Sequence, residues 1–164
     1  MDFGSLLTDG SRNVVRDAWD RLSPWPGGKG MFSRLLGQAA PYTGTVGARV
    51  EDLRKGHSRV VLRDRRAVRN HLRCVHAVAL VNLAEITGNI ALAYGLPDDA
   101  RFIVAGLSIE YVKKARGTIT GTCDASLPET SERREYPVEV VLRDEAGDVV
   151  AKATLRTLVG PKKA

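Results

Sequence analysis

Glu85 is the residue of this sequence with the clearest chemical potential, because it is a carboxylate inside a long apolar segment. From Cys74 to Tyr94 nearly every residue is apolar or small, and the segment contains no proline, lysine or arginine. A helix that is apolar on all sides is normally enclosed by other structure. Burying an ionised carboxylate without partners costs several kcal/mol or shifts its pKa. We therefore expect the protein to use this carboxylate.

Glu85 also has a structural interpretation. Asn82 lies three residues before it and Asn89 four residues after it, so the three side chains share one face of a helix. Either amide, or an arginine from elsewhere, would satisfy a structural carboxylate, and ion-pair networks do bury such groups. Asn70 and His76, just upstream, favour the functional interpretation.

Composition points to one ordinary globular domain. The chain has 164 residues, of which 43% are hydrophobic and 27% charged. The longest strictly apolar run of the central segment, residues 77–81, is far too short to span a bilayer. The start, MDFGSLLTDGSR, lacks the features of a secretory signal, and two cysteines do not make a disulfide framework. We expect a cytoplasmic protein without membrane association.

The net charge of +6 favours anionic partners. Basic residues cluster at 63–73 and again at Lys113, Lys114 and Arg116. No nucleic-acid motif accompanies them and aromatic residues make up only 5% of the chain, so a nucleic-acid partner is disfavoured. A phosphate-rich small molecule is the sharper interpretation, and a simply solvated surface is the other.

Periodicity predicts an α+β domain that positions these groups. The predicted elements are helices at 11–23 and 31–39, strands at 46–51 and 58–65, the long helix ending at 94, and strands at 101–113, 118–125, 137–143 and 149–159. We expect residues 1–42 to form a helical extension packed on the domain, residues 43–159 to form the domain, and residues 160–164 to be a flexible tail.

Sequential strands with short connections imply an antiparallel sheet, one face of which covers the apolar helix. The small residues Ala77, Ala84, Gly88 and Ala91 would allow a close approach. A single sheet cannot enclose a helix on all sides. We therefore expect a homodimer, which in turn can pair into a dimer of dimers.

The central residues resemble those of the hotdog-fold acyl-CoA thioesterases, in particular the phenylacetyl-CoA and 4-hydroxybenzoyl-CoA thioesterase-like families. In those families an Asn lies in the loop before the helix, a His-Gly pair opens the helix, and an Asp or Glu follows two turns later. This chain has Asn70, His76-Ala77 and Glu85, and its segment LSIEYVKKARG, residues 107–117, is similar to the strand that follows. The resemblance covers roughly residues 43–159 and suggests a poorly characterised bacterial branch. It implies a curved antiparallel sheet of five to six strands around a long central helix.

The resemblance further implies hydrolysis of an acyl-CoA or acyl-carrier thioester, with coenzyme A as part of the substrate and no separate cofactor. The N–H of Ala77 would stabilise the oxyanion, Glu85 would act as nucleophile or general base, Asn70 would position the thioester or the water, and His76 would shape the helix start. Eight helical residues separate Ala77 from Glu85 by about 12 Å. One site therefore needs two chains.

Coenzyme A would also explain part of the positive charge, because its phosphates need Lys or Arg at the pocket mouth. Lys113, Lys114 and Arg116 follow the strand expected to border the site, and Arg69 is a second choice beside the Asn70 loop. The three histidines have no recognisable ligand spacing, so no metal is expected.

Two departures from the family pattern favour a non-catalytic acyl-CoA- or lipid-binding protein. Ala77 replaces the usual Gly, and Val104 lies where several relatives have a Ser or Thr. A hydroxyacyl-thioester dehydratase is another alternative, since His71 and Glu85 are fourteen residues apart, but the loop lacks the proline and glycine of that class. A DNA-binding regulator has little support, because no helix-turn-helix segment is evident.

Overall fold

The computed structural model describes residues 12–162. Residues 1–11 and 163–164 lie outside this range, and with them the predicted absence of a secretory signal and the last two residues of the predicted tail. The elements are α1 (Val14–Leu22), α2 (Gly28–Ala39), α3 (Pro41–Gly44), β1 (Arg49–Arg54), β2 (His57–Leu62), a 3-10 turn (Arg66–Val68), α4 (Ala77–Gly95), β3 (Ala100–Tyr111), β4 (Ile119–Asp124), β5 (Arg134–Arg143) and β6 (Val149–Pro161).

All six strands form one antiparallel sheet with the order β1-β2-β4-β5-β6-β3. Helix α4 contacts every strand of this sheet, and its buried face joins the strands in one hydrophobic core. The predicted α+β architecture, a long helix wrapped by an antiparallel sheet, is confirmed.

Small residues let the sheet approach α4 closely. A methyl group added at Gly88 would lie 3.1 Å from a side-chain atom of Val138 and 3.2 Å from one of Val140. Ala84 and Ala91 are fully buried on the same helix. The close approach predicted from these residues is confirmed, although Ala77 is exposed at the helix start.

The N-terminal helices are tied to the end of α4. Asn13 caps α1 by accepting a hydrogen bond from the Arg16 N–H at 3.0 Å. Its amide also donates to the carbonyl oxygens of Ala93 at 2.8 Å and Leu96 at 3.0 Å. The rings of Trp19 and Phe32 meet edge to face at 5.1 Å and join α1 to α2.

The observed boundaries differ from the predicted ones where Pro and Gly signals misled. Strand β5 begins at Arg134 rather than Pro137, because its first residues already pair with β6. Pro137 is tolerated within the strand because β4 pairs with residues 140–143 and so needs no N–H from Pro137. Helix α2 begins at Gly28, where a side chain would collide with the Leu22 carbonyl oxygen. The first strand starts later than predicted, after a left-handed turn at Gly47.

Strand β6 ends two residues later than the predicted end of the strand at Val159. Strand β6 continues through Gly160 and Pro161, which pair with Arg101 and Ala100 of β3. The N–H of Lys162 then donates to the Asp99 carbonyl oxygen at 2.7 Å. Ladder hydrogen bonds to a neighbouring strand hold this segment, and the sequence pattern did not reveal them.

Among residues 12–162 of the single chain, α4 is not enclosed on all sides. Its open face consists of Ala77, Val78, Val81, Glu85 and Asn89, which fall on one stripe of the helix. Val78 is 49% exposed, and Val81, Glu85 and Asn89 are half-buried. The sheet therefore leaves uncovered the stripe that carries the carboxylate.

Helix α4 is long enough and apolar enough to cross a membrane by length and composition, whereas the strictly apolar run at residues 77–81 is too short to do so. Its most apolar window has a mean hydropathy of 1.4, but 67% of that window is buried inside the fold. The helix is therefore the core helix of this domain.

Candidate functional site

His76 builds the start of α4. Its extended backbone places it at the N-cap, and its Nδ1 accepts a hydrogen bond from the Val78 N–H at 3.1 Å. The His76 N–H in turn donates to the Val68 carbonyl oxygen at 2.8 Å. Because Nδ1 serves as an acceptor, the neutral ring carries its proton on Nε2.

Ala77 is the first residue of the helix and presents a free backbone donor. Within residues 12–162, no acceptor lies within hydrogen-bonding distance of the Ala77 N–H. The positive end of the helix dipole is located here, so this N–H favours an anionic oxygen.

Tyr111 is a contact of the helix start that the sequence analysis missed. Its hydroxyl donates to the Ala77 carbonyl oxygen at 3.2 Å. Burial raises the pKa of Tyr111, so the hydroxyl remains protonated near neutral pH. The only sequence signal was its position in LSIEYVKKARG, at the end of β3.

Asn70 holds a compact loop in front of the helix. Its Oδ1 accepts from the N–H groups of Leu72 at 2.9 Å and Cys74 at 3.2 Å, and its N–H donates to the Cys74 carbonyl oxygen at 2.9 Å. Arg73 takes a left-handed conformation with φ of 55° inside this loop. The side-chain oxygen is thus engaged, while Nδ2 has no acceptor within the described chain and remains a candidate donor.

Glu85 lies on the open face without an intramolecular partner. Over residues 12–162, neither an amide nor an arginine makes a hydrogen bond or ion pair with it. Asn82 is buried and turns toward α3, where its amide donates to the Tyr42 carbonyl oxygen at 3.2 Å. The side-chain oxygens of Asn82 and Asn89 are buried and lack hydrogen-bond donors in the described part of the chain. The partners required by the structural interpretation are therefore not found there.

Two of the four predicted phosphate-binding cations are already paired. Arg69 Nε lies 2.6 Å from Asp64 Oδ1, and this pair lowers the pKa of Asp64 and raises that of Arg69. Lys113 Nζ lies 2.8 Å from Asp144 and 2.7 Å from Asp148. These contacts raise the pKa of Lys113 through its hydrogen bonds to the two carboxylates.

Lys114 and Arg116 are the other two predicted cations. Both are exposed, and neither makes an ion pair with an acidic side chain inside the described range. They flank Ala115, whose carbonyl oxygen accepts from the Val75 N–H at 2.9 Å. This bond places the two cations beside the loop that leads into α4.

No cluster of three or more His, Cys, Asp or Glu side chains suited to a metal ion occurs in residues 12–162. His57 instead sits between Asp124, at 2.6 Å, and Asp52, at 3.6 Å, on the β1–β2 hairpin. His71 is exposed, and His76 caps the helix.

Val104, the second departure from the family pattern, lies in β3 where a bulge separates it from Gly106. Its side chain is half-buried against the core. The position therefore presents no hydroxyl group.

A cavity of about 830 Å³ lies to one side of these residues. It is bounded by α1, α2, the second half of α4 and the β3–β6 edge, and none of the eight predicted site residues lines it. On the helix it begins at Ile86, directly after Glu85. Sequence analysis missed this cavity, since its walls come from segments far apart in the chain.

Comparison with known proteins places this fold in a family. A family model described as "Domain of unknown function (DUF4442)" matches residues 28–159. Among curated proteins, none matches the chain significantly.

Several solved structures share this fold over most of the chain. The structural-genomics target APC5556 is 28% identical, with a TM-score of 0.76 over 91% of this chain and 97% of that one. A protein of unknown function from Pseudomonas aeruginosa, called a probable thioesterase, is 24% identical, with a TM-score of 0.72 over 80% and 95%. A thioesterase family protein from Silicibacter pomeroyi is 15% identical, with a TM-score of 0.68 over 79% and 96%.

These similarities confirm the predicted hotdog fold, while the phenylacetyl-CoA and 4-hydroxybenzoyl-CoA branch stays a prediction. The family match spans most of the chain, from Gly28 at the start of α2 to Val159 in β6. The chain therefore belongs to the DUF4442 family and has the hotdog fold.

Proposed function

We propose that this protein hydrolyses acyl-CoA thioesters at a site completed by a second copy of the chain. The observation that carries the proposal is that the Ala77 N–H and the Glu85 carboxylate lie on the same open face of α4, where neither of these two groups has a hydrogen-bond partner in the described chain. Solved structures with this fold include proteins named thioesterases.

The spacing of the two residues requires a second copy. Eight residues of helix place them about 12 Å apart, whereas an oxyanion donor must lie about 3 Å from the reacting oxygen. A neighbouring α4 running antiparallel across the open face would bring Glu85 of one copy next to the Ala77 N–H of the other. A two-fold symmetric dimer builds two such sites.

The surface around the open face supports this assembly. In the sheet of residues 12–162, β3 is an edge strand beside β6, and it carries Ile103, which is 65% exposed. Val78 on α4 is also exposed. Unpaired strand edges and exposed apolar side chains are features that a second copy would cover.

The reaction follows from the groups at this site. Glu85 takes a proton from water, or attacks the carbonyl carbon itself, and the new C–O bond pushes negative charge onto the carbonyl oxygen. The Ala77 N–H stabilises that oxygen, and Asn70 Nδ2 donates to the thioester or the water. Where Glu85 is the base, the C–S bond then breaks and the thiolate of coenzyme A takes the proton that Glu85 holds. Where Glu85 is the nucleophile, cleavage of the C–S bond leaves a mixed anhydride on Glu85; water hydrolyses this anhydride, which releases the acid and the free carboxylate, and the proton from the water goes to the thiolate.

Lys114 and Arg116 are the cations we assign to the phosphates of coenzyme A, because Lys113 and Arg69 are held by carboxylates. An acyl-carrier protein would present only one phosphate. The substrate in this proposal is a CoA thioester, which also fits the cytoplasmic location expected from the sequence.

The test is release of free thiol from short, medium, long and aromatic acyl-CoAs by wild-type protein and Glu85→Gln. Loss of a general base or nucleophile predicts a fall in kcat of at least about 100-fold. Glu139→Gln, an exposed carboxylate of β5, is the matched control and keeps the wild-type rate. A folded, dimeric Glu85→Gln variant with wild-type turnover would refute the role of Glu85.

A non-catalytic acyl-CoA-binding protein is the second candidate. It is favoured by Val104, whose apolar side chain offers no hydrogen bond to water or to a carboxylate. Thermal stabilisation by acyl-CoAs without release of thiol from any of them would establish this function instead.

A further inference from the structure

The cavity beside Glu85 has the size and lining of a small-molecule site. Its volume of about 830 Å³ lies within the range of about 300–1,000 Å³ that is usual for such sites. Its walls are mostly aliphatic and come from several elements; they include Leu36 of α2, Ile90 and Ala93 of α4, Phe102 of β3 and Val159 of β6. Such a surface binds hydrocarbon.

The cavity follows α4 for a defined length. Its lining residues extend from Ile86 of α4 to Leu96, the C-cap residue directly after the helix, a length of about 15 Å along the helix axis. An extended polypeptide advances at most about 1.2 Å per backbone bond. A straight hydrocarbon chain of about 12 carbons therefore matches this length.

Basic side chains lie at one end of the cavity. The lining includes Arg12, Arg101, Arg133 and Lys162 but no aspartate or glutamate. Arg101 is the second residue of β3, shortly after the end of α4. Arg133 directly precedes Arg134, which pairs with Val159 of β6. The cations therefore surround the end of the cavity that is remote from Glu85, and we call this end the basic mouth.

The arginines of the basic mouth differ in their availability. Arg12 forms an ion pair with Asp17 at 3.0 Å. Arg101 donates only its Nε, to the Pro161 carbonyl oxygen at 3.1 Å, and Arg133 is exposed. Arg101 and Arg133 are thus the guanidinium groups best placed to receive an anion.

We propose that this cavity binds a long-chain fatty acid, with its carboxylate at Arg101 and Arg133 and its hydrocarbon chain running along α4 toward Glu85. The orientation follows from charge complementarity, because the acyl chain of a thioester held at Glu85 would bring no anion to the basic mouth. This site goes beyond the proposed hydrolysis, and its occupation does not depend on the chemistry of Glu85.

The test is calorimetric titration of the assembled full-length protein with dodecanoate and octanoate below their critical micelle concentrations and with dodecanol below its solubility limit. Dodecanoate is expected to bind more tightly than octanoate, which buries less hydrocarbon. Dodecanol is expected to bind about five- to tenfold more weakly than dodecanoate, because it lacks two ion pairs that are partly screened by solvent.

Protein variants separate the contribution of the arginine–carboxylate ion pairs from that of the ligand's hydrocarbon chain. The double variant Arg101→Gln/Arg133→Gln is expected to weaken dodecanoate binding about five- to tenfold and to leave dodecanol binding unchanged. Arg54→Gln/Arg59→Gln removes the same charge from the distant β1–β2 hairpin and serves as the matched control. Ala93→Phe, which fills the cavity, abolishes binding of both ligands.

Three results would overturn the proposal. One is equal affinity for dodecanoate and dodecanol, and another is equal weakening by the two arginine pairs. The third is no binding of dodecanoate to wild-type protein, which would mean that another part of the chain or a second copy occupies the cavity. The Glu85→Gln variant keeps these tests independent, because it is expected to bind dodecanoate like wild type whether or not the protein hydrolyses thioesters.

Discussion

The hydroxyl group of Tyr111 donates a hydrogen bond of 3.2 Å to the carbonyl oxygen of Ala77. This contact joins the end of the edge strand β3 to the first residue of α4. The same peptide unit carries the Val78 N–H that His76 accepts, so two side chains hold the helix start from opposite sides. The orientation of the free Ala77 N–H therefore depends on residues from two separate elements.

Tyr111→Phe tests this arrangement. Loss of one hydrogen bond should lower the free energy of unfolding by about 0.5–1.5 kcal/mol. If the bond orients the oxyanion donor, kcat for acyl-CoA hydrolysis should fall by more than this loss of stability explains, with little change in KM. Urea unfolding and thiol release measure the two effects. Tyr42→Phe, which removes an exposed hydroxyl elsewhere, should change neither.

Ala77→Pro should remove the oxyanion donor without disrupting α4. Proline is accommodated at the first position of a helix, and His76 already has the extended backbone that a following proline requires. We expect hydrolysis to fall about 100-fold or more, while circular dichroism and dimerisation stay unchanged. Ala77→Gly keeps the N–H and should remain active, and an inactive Ala77→Gly would contradict the assignment.

Complementation tests the composite site directly. Subunits carrying Ala77→Pro and subunits carrying Glu85→Gln are each expected to be inactive. After unfolding and refolding together in equal amounts, half of the dimers are mixed, and each mixed dimer has one intact site of two. Activity should therefore return to about a quarter of wild type for a two-fold dimer. No recovery despite mixed dimers, detected by tagged subunits, would place both groups in the same chain.

Gly88→Ala should destabilise the fold, because the new methyl group would lie 3.1–3.3 Å from Val138, Val140 and Leu155. Overpacking of this kind costs about 1–3 kcal/mol of unfolding free energy. Gly160→Ala is the control, since a methyl group there meets nothing within 4 Å. Equal urea midpoints for the two variants would show that the sheet can move away from α4.

The Asp64–Arg69 pair should make stability depend on acid pH. The Arg69 side-chain hydrogen bond lowers the pKa of Asp64 below its ordinary 3.8 in the folded chain. The carboxylate therefore stabilises the folded state fully above the unfolded pKa, and this contribution is lost as the pH falls through the lower folded pKa. Asp64→Asn should unfold at lower urea concentration at pH 7, and its stability should change less than that of wild type below about pH 4.

Glu129→Gln is the control for this experiment, because Glu129 is exposed. It should reproduce the wild-type pH profile. Parallel pH profiles of wild type and Asp64→Asn would show that the ion pair contributes no stability.

Local sequence determined the elements and the spacing of the reactive groups. The apolar run from Cys74 to Tyr94 predicted the central helix, and alternation predicted every strand, because both patterns depend on residues close together in the chain. The 12 Å between Ala77 and Glu85 likewise follows from helix geometry alone. Their place in a single site stays a prediction, since it depends on a second copy.

Tertiary structure decided which of these groups are available. The pairing of Lys113 with Asp144 depends on where the β5–β6 turn returns, and the pairing of Arg69 with Asp64 depends on the 3-10 turn between these two residues. The basic residues by themselves carry no sign of either pairing. The open face of α4 exists because one sheet covers only part of a helix. The cavity and its basic mouth arise where α1, α2, α4 and the β3–β6 edge meet. Contacts between segments so far apart in sequence have no local signal, and only packing brings them together.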